Sequence, residues 1–167
     1  MHIKTTDTDF SCLAPLSVVE EFFFQCDWEY DYLNESEITT ESEGRWCNYR
    51  LFVLWKEDLE CLMFTSFMDL KVPINKREPI ATLLSLINPK IWLGHFEIAP
   101  EEEIPVFRYT LTLRGNPTPT LEQIEEIITT ASHECDRLYP ALQFVLWGGK
   151  SPEEALMAAM MDTYGEA

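Results

Sequence analysis

The sequence predicts an α+β fold, an antiparallel β-sheet with helices packed on one side. Three observations carry this. Apolar residues recur at helical spacing near both ends and once in the middle. Between those segments they alternate with polar residues at strand spacing. Short polar turns join the strand runs, which suits antiparallel pairing. The 167 residues contain no long linker and no internal repeat, so a single domain over 1–167 is expected.

The first helix is expected over 12–26. Cys12, Leu16, Val19, Phe23 and Cys26 recur at spacings of 4, 3, 4 and 3, which stacks them on one face. Pro15 suits a first turn, where its missing N–H costs nothing. A β region follows. Trp28, Tyr30 and Tyr32 alternate with acids, and Ile38, Thr40 and Ser42 alternate with Glu37, Thr39, Glu41 and Glu43 until Gly44. The run 45–55 places Cys47, Tyr49, Leu51, Val53 and Trp55 on one face. Residues 56–58 turn, and 59–68 return as its hairpin partner.

A second helix spans about 76–87, with Ile80, Leu83, Leu84 and Ile87 as its stripe; Asn88-Pro89 then breaks it. Residues 93–99 and 104–113 form another hairpin around Glu101-Glu102-Glu103, a solvated turn. The stripe Leu121, Ile124, Ile128, Ala131, Cys135, Leu138, Leu142 and Val145 marks a long third helix. Its heptad spacing reads as the core face of a helix on a sheet, interrupted at Pro140. A last helix runs from Pro152 to about Thr163.

Charge excludes several functions. Twelve basic against 29 acidic residues give a net charge of −17. Such a field repels phosphate backbones and anionic lipid, so neither nucleic acid nor a membrane surface is expected as a partner. The first 44 residues hold one lysine and eleven acids, so this end is expected to face solvent or a basic partner. The N-terminal residues lack a secretory h-region, and no apolar run approaches the ~20 residues of a membrane helix. The five cysteines form no C-x-x-C pair. They read as reduced core residues of a cytoplasmic protein. Cys47, near Arg45 and Arg50, and Cys135, near His133, are the two with any claim to reactivity.

Several motifs imitate chemistry. Gly148-Gly149-Lys150-Ser151 resembles the end of a P-loop, but Phe144 stands where its first glycine belongs. The segment reads better as a helix end, with Ser151 as the next N-cap and Glu154 completing a capping box. His133-Glu134 opens like a zinc-protease motif, but Arg137 occupies the position of the second histidine. His133 and Glu134 are expected on a solvated face with Glu126 and Arg137. No catalytic residue, metal ligand or cofactor site is assigned. The candidates for partner or ligand binding are Trp46, Arg50, Trp92, His95, Arg108 and Trp147. His95 is the one histidine within a strand run, and the tryptophans and arginines could line an apolar or anion-binding groove.

The stretches 44–51 (GRWCNYRL), 92–96 (WLGHF), 107–115 (FRYTLTLRG), 135–140 (CDRLYP), 144–155 (FVLWGGKSPEEA) and 165–167 (GEA) together resemble the YbjN-domain family of bacterial sensory transduction regulators, in its alphaproteobacterial form. The resemblance implies a fold similar to type III secretion chaperones, in the order α-βββ-α-ββ-α(α), with frequent dimers. It carries no catalytic residue.

Two function classes follow. The first is a non-enzymatic cytoplasmic protein-binding module, a regulator or chaperone-like adaptor, homodimeric and taking a protein partner of basic character. The alternative is a small-molecule sensor or enzyme with a closed pocket around His95, using Arg50 or Arg108 as an anion contact.

Overall fold

The computed structural model describes residues 14–116 and 118–164. Four helices and six strands alternate as α1 (Ala14–Gln25), β1 (Tyr30–Asn34), β2 (Glu37–Glu43), β3 (Asn48–Lys56), β4 (Cys61–Phe67), α2 (Arg77–Ile87), β5 (His95–Ile98), β6 (Pro105–Thr112), α3 (Leu121–Leu146) and α4 (Pro152–Tyr164). The strands form one antiparallel sheet in the order β1-β2-β3-β4-β6-β5. The expected fold class is therefore present, with one correction. Four strands rather than three precede α2, because Tyr30–Asn34 pairs with β2 as a full edge strand.

The helices share one side of the sheet. Leu16, Val19 and Phe23 of α1 and Ile124 and Ile128 of α3 pack on Ile38, Leu51, Val53, Leu62 and Phe64. A second cluster joins α2, α4 and the C-terminal half of α3 to Met68, Phe96 and Phe107. A 26-residue helix is about 39 Å long, so α3 spans both clusters. The first helix ends at Gln25, one residue before the end its periodicity suggested. Cys12 lies outside the described residues, and Cys26 follows the last turn, exposed rather than in the core. Cys61 and Cys135 are buried as expected.

Pro140 does not interrupt α3, contrary to expectation. A proline removes the N–H that would bond the carbonyl four residues back, here that of Asp136. The indole Nε1–H of Trp46 donates to that carbonyl at 3.0 Å instead. The Asp136 carboxylate accepts from the Arg45 backbone N–H (2.9 Å) and the Tyr49 hydroxyl (2.6 Å). Trp46 also stacks on Tyr139 at 6.5 Å between centroids. The turn between β2 and β3 is thus clasped to the helix at the proline, where the helix needs a donor.

The GGKS segment is a helix junction. Gly149 has φ +65°, the Ser151 hydroxyl accepts from the Glu154 N–H, and the Glu154 carboxylate accepts from the Ser151 N–H. The Ser151 N–H first, and then the Ser151 hydroxyl beside the carboxylate, hold the Glu154 carboxyl below its ordinary value. Gly94 is required as well. It has φ +76°, and a Cβ there would run into the Phe107 ring.

The clasp makes a coupling prediction. Trp46→Phe should cost about 1 kcal/mol by orphaning the Asp136 carbonyl. In a Pro140→Ala background, where a helical N–H returns, the same change should cost clearly less. Urea denaturation of the four proteins gives the coupling, and strict additivity would refute the exchange.

Candidate functional site

Among the described residues no helix covers the other side of the sheet, although Val106 on that side is fully buried. Cross-strand register sets its surface in rows. Asp31, Thr39, Phe52, Thr65, Arg108 and His95 stand abreast in one row. Glu41, Arg50, Phe67, Val106 and Glu97 form the next, and Glu37, Leu54, Met63 and Thr110 a third. Phe52, Leu54, Met63 and Phe67 make an apolar band down the middle that belongs to neither core cluster. Phe52 meets Phe67 edge to face at 5.3 Å. They remain half-buried because only neighbouring side chains flank them.

The two ends of this face differ. At the β5 end, Arg108 Nε lies 2.8 Å from Glu97 Oε1, and His95 Nε2 lies 3.6 Å from the same carboxylate. The β5 edge is partly occupied. The Asn88 amide donates to the Phe96 carbonyl at 3.0 Å and accepts from its N–H at 2.8 Å. Asn88 therefore does more than end α2; it satisfies backbone groups on an edge strand. At the β1 edge the Tyr30 and Tyr32 hydroxyls donate to the Glu20 carboxylate of α1. There the surface sinks into a shallow depression of about 710 Å³. Its lining includes Trp28, Leu33 and Phe52 with Asp27, Glu29, Asp31, Glu41, Glu43 and Arg50. None of these charged groups enters an ion pair among the described residues.

The six candidates from the sequence divide. Arg50, His95 and Arg108 share the open face. Trp46 sits instead at the clasp on α3, and Trp92 and Trp147 stand exposed in loops beside helix ends. The His95 side chain is 54% exposed, which differs from the closed pocket that a small-molecule site there requires. Ser85, a conceivable nucleophile, donates to the Thr82 carbonyl on α2.

Neither thiol with a claim to reactivity is activated. Burial pushes both the Cys47 and Cys135 thiols up, Cys135 far up, and nearby Asp136 adds to each shift. Burial and the bonded Asp136 likewise raise the Tyr49 phenol. Glu134 corrects another expectation. It is 4% exposed, not solvated, because Arg137 Nη1 donates to both its oxygens at 2.9 Å. The sequence signal for that burial was the i, i+3 spacing of Glu134 and Arg137.

A six-stranded antiparallel sheet with one helical layer defines a fold similar to that in two solved protein complexes. The structure of the ExsC-ExsE complex matches with a TM-score of 0.55 and 16% identity, over 76% of this chain and 96% of the other. The HopA1-SchA chaperone-effector complex matches at 0.53 and 11%, over 78% and 95%. The chain belongs to the YbjN family, described as "Putative bacterial sensory transduction regulator", whose family model matches residues 15–144. The crystal structure of YbjN from E. coli aligns with a TM-score of 0.47 and 16% identity, over 75% of this chain and 95% of that one. No curated protein sequence matches the chain. Among the described residues, no helix is long and apolar enough to cross a membrane.

Unpaired carboxylates at the β1 end repel one another, so salt should stabilise the protein. Raising NaCl from about 0.1 M to 1 M shortens the screening length from ~10 Å to ~3 Å. The Tm should rise more in the natural protein than in Glu41→Gln/Glu43→Gln. Equal rises in thermal denaturation would show that these carboxylates contribute no net repulsion.

Proposed function

We propose that this chain is a non-enzymatic, cytoplasmic protein-binding module, a regulator or chaperone-like adaptor that holds a partner polypeptide on the uncovered sheet face. The observation that carries this reading is the apolar band Phe52, Leu54, Met63 and Phe67, which no described helix covers and which charged residues flank on both sides. An apolar strip with a charged rim is the usual build of a protein interface. The family description and the chaperone-effector complex among the similar structures support the same class.

Arg50, Arg108 and His95 contribute to that face by orienting a partner, since rim charges act on encounter more than on affinity. The net charge of −17 favours a partner of basic character. The module works as a homodimer, and light scattering should give twice the 19.5 kDa chain mass; a monomer at micromolar concentration would remove that part of the reading.

The face itself is tested by affinity capture from the native host, comparing the natural chain with Phe52→Glu/Phe67→Glu. These positions point away from the core, so circular dichroism should be unchanged. Proteins retained by the natural chain should be lost from the variant. Identical captured sets would overturn the assignment of partner binding to this face.

A further inference from the structure

We infer that the depression at the β1–β3 end of the open face is the docking site for an extended basic segment of the partner, one carrying Lys or Arg at alternate positions. This rests on the reading of the open face as a partner surface and assigns one end of it to one chemistry. Three observations support it.

The first is uncompensated charge. Asp27, Glu29, Asp31, Glu41 and Glu43 line the depression against a single guanidinium, Arg50, with no ion pair among them. A second copy of this chain carries the same net charge of −17, and its Arg108 is already paired with Glu97, so the overall field opposes it here. Residues 1–13 hold one lysine against two aspartates and have the wrong sign as well.

The second is spacing. Glu37, Thr39, Glu41 and Glu43 form the outward row of β2. Alternate residues on a strand are about 6.8 Å apart, the repeat of alternate side chains on an extended partner. A helix presents its neighbouring side chains on one face at a different repeat.

The third is the apolar floor. Leu33 is 51% exposed on β1, and half-buried Phe52 lines the same depression. Apolar contact there would fix the segment in place, while the carboxylates set its sign and register.

The probe is a fluorescein-labelled peptide of alternating Lys and Val, followed by anisotropy. The natural chain should bind it. Glu37→Lys/Glu41→Lys/Glu43→Lys should weaken binding by about tenfold or more, in the range charge steering reaches. The control Glu122→Lys/Glu125→Lys/Glu126→Lys makes the same charge change on exposed positions of α3 and should weaken it no more than about twofold. Equal losses in both triple variants would reduce the effect to the general field and overturn the site. Equal binding of a Lys-Leu peptide with helical periodicity would overturn the extended geometry. The broader reading fails separately. If captured partners survive the β2 charge reversal but are lost in Phe52→Glu/Phe67→Glu, the open face stands and this end of it is refuted.

Discussion

The architecture depends on a single long helix that runs along one side of the sheet across both apolar clusters. Because α3 reaches across both apolar clusters, α1 must pack beside its N-terminal half, and α2 and α4 beside its C-terminal half. The stripes of α1, α2 and α3 are consumed on that side, and α4 adds Ala155 and Ala159. Burial of apolar area is non-directional, so the asymmetry comes from topology. Antiparallel strands joined by tight turns send no described helix around to the other face. The apolar band on that face remains uncovered for the same reason.

Holding α3 in register requires more than apolar contact. Asp136 does this with both its backbone and its side chain. Its carbonyl is left without a helical donor by Pro140, and the β2–β3 turn supplies one. Its carboxylate takes the Arg45 N–H and the Tyr49 hydroxyl, and Tyr49 is 1% exposed. A buried hydroxyl without a partner costs about 1–3 kcal/mol, so the pairing of sheet and helix is specific as well as tight. The Glu134–Arg137 pair, with one guanidinium nitrogen shared between both carboxylate oxygens, lies on the same stretch of helix.

Much of this was legible in the residues. Periodicity located every helix and strand to within a few positions, since a stripe such as Leu16, Val19 and Phe23 has only one way to be buried. The capping box at Ser151 and Glu154 was legible because its partners are three residues apart. Long-range pairing was not. Nothing local reveals that Arg50 shares a face with His95 and Arg108, because that follows from four strand registers together. Pro140 misled for a related reason. Its rule describes a helix in isolation, and the missing donor came from Trp46, 94 positions away in sequence. Glu134 misled because an acid beside an arginine reads as a surface pair, whereas here Arg137 satisfies a carboxylate that is buried.

The clasped turn has a further consequence for the open face. Glu43 and Asn48, at the mouth of the depression, bracket residues 44–47. That tetrapeptide is pinned to α3 by two hydrogen bonds through Arg45 and Trp46, and the Gly44 N–H bonds the Cys47 carbonyl across it. Loop residues that must be ordered by a ligand each lose roughly 1–2 kcal/mol of conformational freedom at that moment. Here the loss occurs during folding, so this rim is ordered before anything binds beside it.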